Sequence, residues 1–82
     1  MLFRSANSLG RLVGIEVKAK ATIQGRDAAG LNRLAQQAGE RFLGGVILYD
    51  GANAVPMASA AGRPIWALPL ASLWQGATPA SA

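Results

Sequence analysis

The stretch Leu12-Val13-Gly14-Ile15-Glu16-Val17-Lys18-Ala19 constrains the chain most. It is the most apolar run of the first half, and it carries one acid and one base two residues apart. Strand alternation sends Ile15, Val17 and Ala19 to one face and Glu16 and Lys18 to the other. A carboxylate and an ammonium on the face of a largely buried strand cost desolvation energy unless they are paired or used. The run therefore predicts a strand, and it poses one chemical question: what Glu16 and Lys18 are for.

The spacing predicts that strand over Arg11–Ala19. Leu12, Val13, Ile15 and Val17 are apolar at both parities, which suits a strand covered on both sides, as in a parallel sheet. A helix is expected over Arg26–Phe42. Ala28, Leu31, Leu34, Ala35, Ala38 and Phe42 fall at helical spacing on one side, with Asn32, Arg33, Gln36, Gln37 and Glu40 mostly opposite. Thr22, Gln24 or Gly25 can cap it, and Asp27 suits its first turn. Gly30 lets the helix lie close to the sheet. Gly44-Gly45 stops it, and a second buried strand is expected at Gly45–Tyr49. Strand, helix and strand in this order make a βαβ unit with parallel strands.

Beyond it, Asp50-Gly51-Ala52-Asn53 reads as a turn. Ala54–Met57 is short and extended, restricted to a sheet edge by Pro56. Ala58–Arg63 reads as a loop, Pro64–Leu68 as extended, and Leu70–Trp74 as a short helix entered through Pro69. Residues 1–8 show no period and read as an irregular terminus. Residues 75–82 read as a disordered tail.

Composition removes most chemistries. The 82 residues contain no Cys and no His, which excludes disulfides, thiolate nucleophiles, a histidine base and the common zinc sites. Only Asp, Glu and Lys remain for metal or acid–base work. The net charge is +4, but no run of three basic residues occurs among Arg4, Arg11, Lys18, Lys20, Arg26, Arg33, Arg41 and Arg63. Such scatter reads as a solvated surface and gives no nucleic-acid footprint in the sequence. No segment has the roughly 18 apolar residues of a membrane span, so a cytoplasmic protein is expected.

Glu16-Val17-Lys18 matches an E-x-K half-site. Glu16 and an adjacent backbone carbonyl can hold a hard divalent ion such as Mg2+ or Mn2+, while Lys18 orients or helps deprotonate a water attacking a phosphodiester. A working site also needs an acid from a neighbouring strand. Met1 to Ile15 contains neither Asp nor Glu, and Asp27, Glu40 and Asp50 lie downstream with no place beside Glu16. The plainer reading is a Glu16–Lys18 or Glu16–arginine ion pair. Trp66 and Trp74 read as core or interface packing, Tyr49 as a structural strand-end residue, and Asp50-Gly51 as a turn without metal. Gly44-Gly45 lacks the spacing of a phosphate-binding loop.

From Leu9 to Trp74 the chain resembles the C-terminal domain of a large bacterial family of AAA-type ATPases of unknown function. Four pieces carry the resemblance. They are the Gly10–Ala19 segment, Asp27 with Gly30-Leu31 and Leu34-Ala35, Gly39–Phe42 with Gly45–Tyr49, and Ile65–Leu70 with Leu73-Trp74. The resemblance implies a restriction-endonuclease-like fold of the PD-(D/E)xK class, with Glu16 and Lys18 at the E-x-K positions. It also implies a preceding strand bearing an Asp, which residues 1–8 do not match, and a nucleotide-binding domain. No G-x-x-x-x-G-K-[ST] motif occurs, so ATP binding is not expected.

The expectation is thus an α/β, truncated endonuclease-like domain over residues 9–74, resembling the tail end of a longer protein. It would be a non-catalytic recognition or assembly module. The alternatives are a metal-dependent nuclease whose missing acid comes from another chain, and a basic nucleic-acid-binding module. Without the preceding strand, Arg11–Ala19 would expose an edge, and a homo-oligomer pairing that edge is expected.

Overall fold

A computed structural model of the chain describes residues 2–6 and 10–71. The strands are β1 (Leu2–Ala6), β2 (Leu12–Lys18), β3 (Phe42–Tyr49), β4 (Val55–Ala60) and β5 (Arg63–Pro69), and the helix is α1 (Ala29–Ala38). They form one five-stranded mixed sheet in the order β1-β2-β3-β5-β4. The parallel core is β2, β3 and β5, and antiparallel β1 and β4 flank it. The β2–α1–β3 unit is the βαβ crossover that the apolar periods predict.

The helix is shorter than its apolar pattern suggests. Single 3-10 turns at Gly25–Ala28 and Gly39–Arg41 bracket it. It ends at Gly39, whose φ of 57° a residue with a side chain adopts only at a cost. Phe42, spaced as a helical residue, instead opens β3 and is wholly buried. Gly44 and Gly45, expected to stop the helix, lie inside β3.

Two further expectations change, and a third is borne out and placed in the sheet. Residues 1–8 were expected to be irregular, yet Leu2–Ala6 is a strand, paired antiparallel with β2 from Leu2↔Glu16 to Ala6↔Leu12. The flank of β2 expected to be open is therefore occupied, and an oligomer through the Arg11–Ala19 edge has no unpaired strand to use. Five paired residues satisfy backbone groups that a ragged end would leave exposed, which is why a segment without hydrophobic period still forms a strand. Next, Ala58–Arg63 is not a loop. Ala58–Ala60 belongs to β4, Ala61 and Gly62 make the turn, and Arg63 opens β5. Finally, the extended segment 64–68 is an inner strand, parallel to β3 and antiparallel to β4. Its alternation of buried Ile65 and Ala67 with exposed Trp66 follows from the pleat. Pro56 does sit in an edge strand, where its missing N–H costs no ladder bond. The helix expected at Leu70–Trp74 and the tail at 75–82 lie, beyond Ala71, outside the described residues.

The core lies between α1 and one face of the sheet. Leu31, Leu34, Ala35 and Ala38 pack on Leu12, Phe42, Ile47, Tyr49, Ile65 and Ala67. Gly14 permits this, because a Cβ there would meet Leu31 Cδ2 at 2.5 Å and Leu34 Cδ2 at 2.9 Å.

The opposite face carries no described helix. By register, its central row runs Ile15, Val46, Trp66 and Pro56 across β2, β3, β5 and β4. A second row is Val17, Leu48 and Leu68. Among the described residues, only one side of β2 is covered by a helix: Leu12, Gly14 and Glu16 on that side are buried, while Val13, Ile15 and Val17 are half-buried.

Candidate functional site

Glu16 projects from β2 to the helix-covered face and is 6% exposed. Two neighbours frame it by register, Leu2 on β1 and Ile47 on β3. Above it passes α1 at Gly30. A Cβ at Gly30 would lie 2.7 Å from Glu16 Oε1, so glycine is what lets the helix cross the carboxylate. The sequence reading of Gly30 as a close-approach residue is accounted for by this contact.

Lys18 follows on the same face, half-buried and opposite Tyr49. The E-x-K pair therefore lies toward the C-terminal ends of the parallel strands, where open α/β sheets place ligands. What the arrangement lacks is a second acid. The β1 position directly across from Glu16, from which a neighbouring strand would present a carboxylate, holds Leu2. A strand does precede β2, and it carries no acid across from Glu16. β1 also fills the flank through which another chain would have paired to bring one.

Hard divalent cations take six or more oxygens, several of them carboxylate. Among the described residues no three His, Cys, Asp or Glu gather to hold a metal ion. One carboxylate between Leu2 and Ile47 does not fit Mg2+ or Mn2+.

The acid that sequence reasoning undervalued is Asp27. It is buried, and Lys20 Nζ donates to its Oδ1 at 3.0 Å. The Gln24 backbone N–H donates to its Oδ2 at 2.7 Å. That N–H bond and the Lys20 ammonium hold the Asp27 carboxyl below its ordinary value of 3.8, and Lys18 adds a smaller attraction. A carboxylate three residues after a cap position, reaching back to the cap N–H, is half of a capping box. The spacing Gln24-x-x-Asp27 was the available signal. This pair fastens the chain between β2 and α1, and the Asp50 N–H, donating to the Lys20 carbonyl at 2.9 Å, ties the same segment to the end of β3. Tyr49 is buried and its hydroxyl donates to the Asn53 carbonyl at 2.5 Å, which makes it a structural residue.

At the other end of the sheet the fold gathers what the sequence scatters. Arg11 immediately precedes β2, Arg41 immediately precedes β3, and Arg63 opens β5. These three strands are adjacent and parallel, so their N-terminal ends lie about 4.8 Å apart strand to strand. Arg11 and Arg63 line one open cavity of about 630 Å³ with Gly39, Glu40, Leu43 and Ala61. Arg41 lies against Gly10 beside it. Arg11 and Arg63, far apart in the sequence, thus line one cavity that also carries Glu40.

Among the described residues no helix is long and apolar enough to cross a membrane. The chain matches no family model, no curated protein and no solved structure.

Proposed function

We propose that the chain is a non-catalytic recognition or assembly module, a form of the C-terminal domain of the AAA-type ATPase family in which the E-x-K site is not completed. The observation that carries this reading is Leu2 opposite Glu16. An aliphatic side chain supplies no oxygen to a metal, and without a held metal Glu16 and Lys18 have no Lewis acid to generate a nucleophile. Glu16 and Lys18 act instead as the polar part of a helix–sheet contact. The nuclease reading requires an acid from elsewhere, and β1 stands where that acid would enter.

A second reading is favoured by Arg11 and Arg63, which line the cavity at the strand N-termini. A cluster of guanidinium groups suits phosphate oxygens, and such binding weakens steeply with salt. In this reading the module would hold nucleic acid without cleaving it.

One assay separates these. Plasmid DNA is incubated with the protein and Mn2+ and run on a gel, beside Glu16→Ala and Lys18→Ala. The expected result is intact plasmid in all three lanes. Cleavage that both substitutions abolish overturns the non-catalytic reading. Intact plasmid retarded at low salt and released at high salt, with the retardation lost in Arg11→Ala/Arg63→Ala, favours the second reading over assembly.

A further inference from the structure

We infer that Asp50 is a self-modification site: its carboxyl condenses with the backbone nitrogen of Gly51, and the residue isomerises to isoaspartate. The inference goes beyond the recognition reading and uses neither the E-x-K pair nor the arginine cavity. It starts from a contrast between two acids. Asp27 is buried, and its oxygens are engaged by Lys20 Nζ and the Gln24 N–H. Asp50 is exposed, and among the described residues its carboxylate has no hydrogen-bond or ion-pair partner. With nothing to hold it, the side chain samples its staggered rotamers.

The nucleophile is accessible too. Gly51 lies outside every helix and strand, in a run of bends from Asp50 to Asn53. Its N–H donates to no described group, whereas the Asp50 N–H donates to the Lys20 carbonyl at 2.9 Å. No Cβ shields the Gly51 nitrogen, and a glycine backbone has the widest conformational freedom. Packing forces glycine here, because a Cβ at Gly51 would collide with the Tyr49 ring. That ring is fixed by burial and by the bond from its hydroxyl to the Asn53 carbonyl. The fold thus requires, directly after an exposed aspartate, the residue that hinders condensation least.

The reaction balances without a co-reactant. The Gly51 nitrogen bonds to Asp50 Cγ, the nitrogen gives up its proton and Cγ its hydroxyl, and these leave as water. The product is a cyclic imide. Water then adds to either imide carbonyl. Addition at Cγ breaks the new bond and restores aspartate. Addition at the Asp50 backbone carbonyl breaks the original peptide bond. The chain then runs through Cβ and Cγ, and the former backbone carbonyl becomes a free α-carboxylate. One carbon is thereby added to the main chain between two anchored points. These are the Asp50 N–H on the Lys20 carbonyl and the Asn53 carbonyl under the Tyr49 hydroxyl.

The test incubates the folded full chain in neutral buffer for weeks, beside a synthetic peptide spanning Leu48–Ala54. Circular dichroism follows the fold. Electron-transfer mass spectrometry cleaves the Cα–Cβ bond of isoaspartate and so places it in the sequence. The folded chain is expected to gain isoaspartate at Asp50 at a rate within about tenfold of the peptide's, and none at Asp27. Asp50→Glu is expected to stay unmodified there, because its ring would be larger and closes far more slowly. That variant exchanges one exposed carboxylate for another, whereas Gly51→Ala would drive a methyl group into the Tyr49 ring. A folded chain without isoaspartate at Asp50 while the peptide accumulates it overturns the inference, because the turn then protects the bond. So does a chain and peptide that both stay unchanged, or a chain that isomerises at Asp27 first. A rate that climbs with urea in step with the unfolded fraction also overturns it, since the reaction then belongs to the unfolded chain.

Discussion

Successive residues of β2 serve two different surfaces. Leu12, Gly14 and Glu16 face α1, where the fit is close enough that Gly14 has no room for a methyl group and Gly30 must leave space for a carboxylate. Val13, Ile15 and Val17 face the side without a described helix and are only half-buried. The covered face holds the only buried carboxylate of the strands, yet it is the tightly packed one. Among the described side chains of β2, β3 and β5, the other face is hydrocarbon apart from the Trp66 indole N–H. Glu16 thus lies inside the helix–sheet contact, while the apolar row lies on the other side of the sheet.

The contrast is broken most directly by truncating one leucine on each side. Leu31 is wholly buried beneath the sheet, so Leu31→Ala is expected to cost about 3 kcal/mol, a large part of the stability of a domain this small. Leu68 is half-buried on the open face, so Leu68→Ala is expected to cost about 1 kcal/mol in the monomer. Urea denaturation measures both. Equal losses would mean that the open face is as well packed as the covered one.

A smaller effect belongs to the covered side alone. The Asp27 carboxyl is held below its ordinary value by the Gln24 N–H and Lys20. A depressed carboxyl stabilises the fold above its unfolded value of 3.8, and that stabilisation disappears as pH falls from there through the lower folded value. Between pH 6 and pH 3 the wild-type urea midpoint is expected to drop more than that of Asp27→Asn. The asparagine variant is less stable at pH 6 because the ion pair is gone. Identical pH dependence in the two proteins would show that the Lys20–Asp27 contact is not formed in solution.

The βαβ core was legible in the sequence because each of its elements repeats one period. Val13, Ile15 and Val17 alternate, Leu31, Leu34, Ala35 and Ala38 recur at helical spacing, and Val46-Ile47-Leu48 is continuous. What escaped has a physical reason in each case. β1 was missed since Leu-Phe-Arg-Ser-Ala has too few apolar residues to show alternation, and its strand state depends on pairing with β2. The β4–β5 hairpin was missed in part because Ala58, Ser59 and Ala60 have no β-propensity to speak of, so the ladder decides. Phe42 was read as helical because 3-10 turns keep roughly the same spacing while the helix is already ending. The side on which Glu16 lies could not be read at all. Parity tells which residues share a face, and not which face receives the helix. The register that sets Leu2 across from Glu16 was likewise invisible, because no strand was expected there.

That register carries the account. If the covered face lacks metal chemistry only because Leu2 stands opposite Glu16, then supplying the acid should begin to restore a cation site. The measurement is a calorimetric Mn2+ titration of the wild type and of Leu2→Asp, with Leu2→Asp/Glu16→Gln as control. The account predicts no saturable binding by the wild type, saturable binding by Leu2→Asp, and its loss in the double variant. Saturable Mn2+ binding by the wild type that Glu16→Gln abolishes would contradict it, because the site would then be complete as it stands.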